Sequence, residues 1–103
     1  MNSEFVTVGK TTDVPVGGMA AFDVNGTLVA VANVGGTFYA FDDTCTHEFC
    51  SLAEGELEDA TVTCPCHLGQ FDVRTGEVLA LPPPSPVKTY RVRTEGDSLQ
   101  IAV

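Results

Sequence analysis

Two short segments of this 103-residue chain each pair a cysteine with a histidine, and they constrain the fold more than any other feature. The first segment is Cys45-Thr46-His47, and the second is Cys64-Pro65-Cys66-His67. The chain has two histidines, and both belong to these segments. A fold that brings the two segments together would present two thiolates and two imidazoles to one metal site.

The mixed donor set suits two irons in different environments. Thiolates stabilise ferric iron, whereas neutral imidazole is a weaker donor, so a histidine-bound iron is the more easily reduced of the two. The predicted metal ligands are Cys45 and Cys64 on one iron, and His47 and His67 on the other, with bridging sulfides between them. The pattern therefore favours a protein that carries single electrons and has no substrate of its own.

Two alternatives to an iron–sulfur centre stay open at the level of the sequence. Cysteines and histidines are often packing residues, although two short Cys/His pairs favour metal binding. The stronger rival is a zinc-stapled interaction module. Zinc modules usually place like ligands close together, whereas each segment here mixes one cysteine with one histidine. A zinc protein would be colourless, and an iron–sulfur protein of this kind would be red-brown.

The residues around both segments resemble the two cluster-binding boxes of the Rieske family. They read CTHEFC and CPCHLGQFD, and the downstream LPPPSP resembles that family's proline loop. The chain is most similar to the ferredoxin components of bacterial aromatic-ring-hydroxylating dioxygenase systems. This resemblance implies one Rieske [2Fe–2S] cluster in a protein that is not itself an enzyme. It would pass electrons from a flavin-containing reductase to a terminal oxygenase, both bound transiently. The small Rieske subunit of a nitrite reductase is the alternative within the same fold.

The resemblance also concerns the two remaining cysteines, Cys50 and Cys66. In the high-potential respiratory members of the family, cysteines at these positions form a disulfide between the two loops, whereas dioxygenase-type ferredoxins commonly lack them. Loops that converge on one cluster would bring the thiols close, but disulfides are uncommon in the cytoplasm. A disulfide and a pair of buried thiols therefore both remain open.

Residues that follow the second segment bear on the reduction potential. The high-potential members place Ser and Tyr where this chain has Gly69 and Phe71, and hydroxyl groups that donate to sulfur raise the potential. Without them we expect a potential at the low end of the Rieske range, near roughly −150 mV. We expect Pro65, Leu68 and Pro83 to shield the cluster from water.

Electrons should leave through the histidine-bound iron, so a partner should cover the tip of the molecule that carries both loops. The expected partner-contact residues are two imidazoles and three apolar side chains: His47, Phe49, His67, Leu68 and Pro83. Glu48 would lie at the rim of this surface.

The charge of the chain excludes some partners and suggests others. Fourteen acidic and five basic residues give a formal net charge of −9, which opposes binding to nucleic acid. The same charge either keeps the chain soluble or steers it towards basic partners. The apolar runs are too short to cross a membrane, and the N-terminus has no signal-peptide pattern. We expect a cytoplasmic monomer.

Short alternating runs of apolar and polar residues, separated by Gly, Asn and Asp turns, predict an all-β protein. We expect one Rieske domain over 1–103, with an antiparallel sandwich or barrel-like base formed by 1–41 and 79–103. A small cluster-binding β subdomain would occupy about 42–78. Asn25-Gly26 is a strong signal for a type I′ hairpin.

The strand boundaries follow from the same pattern. The expected base strands are Phe5–Gly9, Met19–Val24, Thr27–Val34, Thr37–Phe41, Val87–Thr94 and Ser98–Val103. The expected subdomain strands are Gly55–Leu57, Thr61–Thr63 and Gln70–Val73.

Overall fold

The structure, a computed structural model, describes residues 5–46, 50–66, 69–80 and 85–102. Within these ranges the chain forms ten β-strands and two short 3-10 turns, at Thr11–Asp13 and Leu52–Glu54, and no α-helix. The strands are β1 (Phe5–Lys10), β2 (Met19–Val24), β3 (Thr27–Val34), β4 (Thr37–Asp42), β5 (Glu56–Glu58), β6 (Thr61–Thr63), β7 (Gln70–Asp72), β8 (Val78–Ala80), β9 (Thr89–Glu95) and β10 (Ser98–Ala102). The all-β prediction is confirmed.

The strands form two antiparallel sheets. The larger sheet has the order β1-β10-β9-β4-β3-β2, and the smaller one has the order β5-β6-β7-β8. Edge strands β1 and β2 of the larger sheet also contact each other, which curls that sheet towards a barrel. Among the described residues, no helix is long and apolar enough to cross a membrane.

The hairpin between β2 and β3 has the predicted turn. Asn25 and Gly26 both adopt positive φ angles, of 52° and 88°, as a type I′ turn requires. The Asp23 carboxylate accepts a hydrogen bond of 2.8 Å from the Gly26 amide and closes the turn. Turn chemistry, which is local, therefore positions these two strands.

Strand β3 is buried on both faces and separates two apolar cores. Val29 and Val31 point into a core between the curled parts of the larger sheet. Ala30 and Ala32 point the other way, into a second core that the smaller sheet covers. Side chains alternate between the faces of a strand, so a run of consecutive apolar residues is needed to fill both cores. The second core lies beneath the two loops that carry the cysteines.

Two differences from the sequence-based strands exceed one residue at a strand end. Strand β8 was not predicted, because its residues, Val78–Ala80, are all apolar and show no alternation of apolar and polar side chains. Strand β9 begins at Thr89 rather than Val87, since the Val87 amide donates to the Gly76 carbonyl at 2.9 Å. Gly76 has a φ of +82°, and a Cβ atom there would collide with the Val87 carbonyl oxygen. This turn therefore requires glycine in order to meet the segment that leads into β9.

Candidate metal centre

Cys45 and Cys64 come from two different loops and enter the same core. The arch loop (residues 43–55) follows β4, and the tip loop (residues 64–69) joins β6 to β7. Their relative exposures are 3% for Cys45 and 0% for Cys64. Both belong to the core that also contains Leu52 and Phe71. The two thiols therefore lie in an apolar environment that excludes water.

The arch loop is closed by its own backbone. The Cys45 amide donates to the Cys50 carbonyl at 3.0 Å, and the Leu52 amide donates to the Asp43 carbonyl at 2.7 Å. An isolated antiparallel bridge pairs Thr44 with Ser51 between these two bonds. The loop is thus a narrow two-stranded arch with Cys45 on one of its legs.

A buried carboxylate fixes the base of this arch. Asp43 is 3% exposed, and its Oδ1 atom accepts hydrogen bonds of 2.9 Å from the Ser51 hydroxyl and from the Ala53 amide. A buried carboxylate needs such donors, because an unsatisfied charge in a core is costly. We did not predict this role from the sequence. The available signal was an acidic residue between an apolar strand and the first cysteine.

The tip loop has fewer described restraints of its own. The Cys64 amide donates to the Gly69 carbonyl at 2.8 Å, which closes the loop at its base. Pro65 and Cys66 are exposed on its outer side, whereas Phe71, which follows in β7, is fully buried. Pro65 therefore lies on the outside of the loop, and the Phe71 ring belongs to the core that also contains Cys64.

A disulfide links the two loops. Cys50 of the arch loop is bonded to Cys66 of the tip loop, with their Cα atoms 6.4 Å apart. The sequence left open a bond or two buried thiols. In the structure the two residues are joined, and Cys66 is exposed while Cys50 is half-buried.

Three hydrogen bonds attach the arch loop, and the end of β4 that leads into it, to residues 85–90. The Thr46 hydroxyl donates to the Ser85 carbonyl at 2.7 Å. At the end of β4, the Asp42 amide donates to the Lys88 carbonyl at 2.8 Å, and the Tyr90 hydroxyl donates to the Asp42 carboxylate. Burial and this hydrogen bond raise the pKa of Tyr90 to about 12.

Several predicted site residues lie outside the described residues: His47, Glu48, Phe49, His67, Leu68 and Pro83. Within the described ranges, no group of three or more His, Cys, Asp or Glu side chains is arranged to hold a metal ion. The described half of the predicted ligand set nonetheless fits a mixed-ligand cluster, because it supplies two buried thiols from separate loops that share one core.

Comparison with known proteins defines the family. The model of the Rieske [2Fe-2S] domain matches residues 4–91. The 3-phenylpropionate/cinnamic acid dioxygenase ferredoxin subunit of Shigella flexneri serotype 5b is 46% identical over 90 residues, which cover 86% of this chain and 84% of that protein. The chain therefore belongs to the Rieske [2Fe-2S] domain family, which supports an iron–sulfur cluster of the Rieske type.

Solved structures agree with this assignment. The ferredoxin of carbazole 1,9a-dioxygenase from Nocardioides aromaticivorans IC177 superposes with a TM-score of 0.91 at 36% identity, covering 97% of this chain and 98% of that chain. A second match is a chain from the complex of reduced oxygenase and oxidized ferredoxin in carbazole 1,9a-dioxygenase. Its TM-score is 0.90 at 33% identity, covering 98% of this chain and 94% of that chain.

Proposed function

We propose that this chain is a one-electron carrier that takes electrons from a flavin-containing reductase and delivers them to a terminal aromatic-ring dioxygenase. The observation that carries the proposal is its 46% identity, over 86% of its length, to a dioxygenase ferredoxin subunit. The chain is then an electron-transfer component and not the oxygenase itself. It works in the cytoplasm as a monomer and binds neither nucleic acid nor membrane.

The proposed cofactor is one [2Fe–2S] cluster, which when bound accepts and releases a single electron. Its proposed ligands are Cys45 and Cys64 on one iron, and His47 and His67 on the other. The chain contributes an apolar pocket for the thiolates, formed with Leu52 and Phe71. Burial of these thiolates keeps water from the sulfur atoms and favours the less charged state of the site.

Metal analysis tests the cofactor and the ligands together. The purified protein should contain iron and acid-labile sulfide in equal amounts, and after dithionite reduction it should give a Rieske-type EPR spectrum. His67→Cys should alter this spectrum or abolish the cluster. Cys50→Ser is the comparison variant, because Cys50 is not a proposed ligand. Freshly isolated, it should still give the Rieske spectrum, although it should release its cluster faster than the wild type. Zinc without sulfide would instead establish the zinc-stapled module.

Gly69 and Phe71 support a low reduction potential. Phe71 is fully buried beside the two cysteines, and its ring offers no hydroxyl to a sulfur atom. The potential should therefore lie near the low end of the Rieske range, roughly −150 mV. Phe71→Tyr combined with Gly69→Ser should raise it by adding donors. A wild-type potential near the top of the family range would contradict this explanation.

The reductase and the oxygenase are proposed to dock at the tip. The similarity to a ferredoxin solved in complex with its oxygenase supports the oxygenase as one partner. The proposed contact residues are His47, Phe49, His67, Leu68 and Pro83, with Glu48 at the rim. Redox encounters of this kind use small and transient interfaces.

Stopped-flow reduction of the oxygenase tests the docking face. Glu48→Lys should slow the reaction at low ionic strength and have less effect at high ionic strength, because rim charges act mainly on association. Phe49→Ala should slow it at both. Asn25→Lys, on the hairpin between β2 and β3, is the control at a distant site. If only Asn25→Lys slows electron transfer to the oxygenase, the partner docks at the end of the molecule that carries this hairpin.

The nitrite reductase alternative has less support. No feature of the described residues favours it, whereas identity to the dioxygenase ferredoxin subunit extends over most of both chains. The same stopped-flow experiment distinguishes them, since a nitrite reductase subunit would not reduce a ring-hydroxylating oxygenase.

A further inference from the structure

The disulfide is the covalent link between two loops that are each closed independently. The arch loop keeps its Cys45–Cys50 backbone bond and the Asp43 contacts whether or not the sulfur atoms are joined. The tip loop keeps the bond from Cys64 to Gly69. Opening the disulfide would therefore uncouple the loops without unfolding either one.

The disulfide is also accessible from solvent. Cys66 is exposed, and a surface depression of about 400 Å³ is lined by Cys50, Ser51, Glu54, Pro65 and Cys66. A thiol could approach Cys66 through this depression, because thiol–disulfide exchange requires access to one sulfur atom.

The depression carries a negative charge. Glu54 is exposed and lines both this depression and a neighbouring one of about 300 Å³, which Glu56 also lines. Among the described residues, no Lys or Arg lines either depression. An attacking thiolate is itself an anion, so these carboxylates and the net charge of −9 should repel reagents that carry further negative charge.

We propose that the Cys50–Cys66 disulfide is a reducible modification site, selective for thiol reductants that carry little negative charge, and that its reduction loosens the hold on the metal cluster. A thiolate of the reductant attacks the sulfur of Cys66 and forms a mixed disulfide. The sulfur of Cys50 leaves and takes up a proton. A second reductant thiol then attacks the reductant sulfur of the mixed disulfide, and the sulfur of Cys66 leaves and takes up a proton. The two reductant sulfurs end joined in a disulfide, oxidised by two electrons, and the protein gains two thiols.

The effect on the cluster rests on the proposed function. The proposed ligands are divided between the two loops, so the disulfide limits how far one half of the ligand set can move from the other. Once it opens, the cluster itself and the packing of the core would still oppose separation, but the covalent limit is gone. Release of the cluster should then be faster.

Three small thiols of similar size test the selectivity: cysteamine, 2-mercaptoethanol and 3-mercaptopropionate, compared at equal thiolate concentration. Opening is followed by alkylation and the mass gain of two alkyl groups. We expect cysteamine to react fastest and 3-mercaptopropionate slowest. Glu54→Gln should reduce the ratio of their rates by about two- to threefold at low salt. Glu58→Gln is the matched control, since Glu58 lines neither depression. The ratio of the cysteamine rate to the 3-mercaptopropionate rate in this variant should equal that of the wild type.

Cluster release is measured in parallel on the holoprotein by the loss of visible absorbance and by iron transfer to a chelator. Dithiothreitol should speed release of the cluster from the wild type by about tenfold. This is less than the largest effect that the loop-closure entropy of a disulfide with this span allows. Cys50→Ser/Cys66→Ser should release at the fast rate with or without dithiothreitol.

Two results would overturn the proposal. One is equal reactivity of the three thiols in the wild type and in Glu54→Gln. The other is identical cluster release before and after opening. Failure of the proposed function is distinguishable, because it would appear as zinc or no metal in the wild-type protein, while the thiol exchange rates remain measurable.

Discussion

The arch loop and the tip loop contribute one buried cysteine each, but they are held in different ways. The arch loop has two backbone bonds that join its legs, a strand-like bridge and a buried carboxylate that accepts two further bonds. The described part of the tip loop has one closing backbone bond, from Cys64 to Gly69, and the disulfide. The comparison indicates that the arch loop is a platform formed by the fold, whereas the tip loop is held to it by a covalent link.

Mutations in the arch loop and in the disulfide should therefore lower stability for different reasons. A change in the arch loop removes hydrogen bonds from buried groups and should lower the stability of the surrounding core. A change in the disulfide removes a constraint on the unfolded chain and should act on the whole domain. Four predictions separate these two cases.

The largest effect is expected for loss of the disulfide. Cys50→Ser/Cys66→Ser should lower the free energy of unfolding of the cluster-free protein by about 3 kcal/mol, given a closed loop of this length. Urea unfolding followed by circular dichroism measures it. Reduced wild-type protein serves as the control and should match the variant. Equal stability of the oxidised and reduced wild type would contradict the role assigned to the bond.

The next effect is expected for the buried carboxylate of the arch loop. Asp43→Ala should lower the free energy of unfolding by about 2 kcal/mol, because the Ser51 hydroxyl and the Ala53 amide lose their acceptor. Asp43→Asn should cost less, since both bonds reach the same oxygen, Oδ1, which an amide can retain. Chemical denaturation compares the two variants.

Asp23→Ala is the control for this experiment. Asp23 also accepts a backbone hydrogen bond three residues along the chain, but in an exposed hairpin. Its loss should cost well under the value for Asp43→Ala, because water replaces the partner. If the two alanine variants are equally unstable, burial of Asp43 is not the cause.

A smaller effect is expected at the contact between the arch loop and the segment after the prolines. Thr46→Val keeps the shape of the side chain and removes its hydroxyl, so the bond to the Ser85 carbonyl is lost. We expect a cost of about 1 kcal/mol. Thr46→Ser should restore most of it. Hydrogen exchange of backbone amides in the arch loop checks whether the change is local, and unchanged exchange in Thr46→Val would argue against the contact.

The smallest effect concerns Tyr90 at high pH. Its pKa of about 12 in the folded state exceeds the value near 10 of an unfolded tyrosine. The folded state therefore keeps a proton that the unfolded chain loses, and this contribution to stability is present below about pH 10 and is lost as the pH rises towards 12. Tyr90→Phe should flatten this part of the stability curve. An unchanged alkaline slope in the variant would show that Tyr90 is not responsible.

Much of the strand structure could be predicted because its causes are local. Met19–Val24, Thr27–Val34 and Thr61–Thr63 were predicted with the boundaries that the structure has. Alternation of side chains marks a strand within a few residues, and Asn25-Gly26 marks a turn by itself. Strand β8 was missed because its three residues are all apolar and show no alternation, so that pairing with β7 defines it.

The candidate metal site also has one part that the sequence could predict and one part that it could not. The spacing of cysteines and histidines predicted two segments that belong together, because each pair is complete within four residues of sequence. The sequence could not decide between a disulfide and two thiols, since redox compartment and local spacing gave opposite indications for Cys50 and Cys66. Only the distance between their loops decides this, and a distance between loops is a property of the tertiary fold.

Asp43, Thr46 and Tyr90 show what the sequence alone does not determine. Each is an ordinary polar residue with no local pattern that marks its role. The partners lie 39 positions away for Thr46 and 48 for Tyr90, and eight and ten positions away for Asp43. No local pattern specifies such a pair, because the free energy of the contact depends on burial and on where the sheets place the partner. The sequence by itself thus determined the strands, the turns and the candidate metal ligands. The packing of the two sheets decided which polar groups hold the two loops in place.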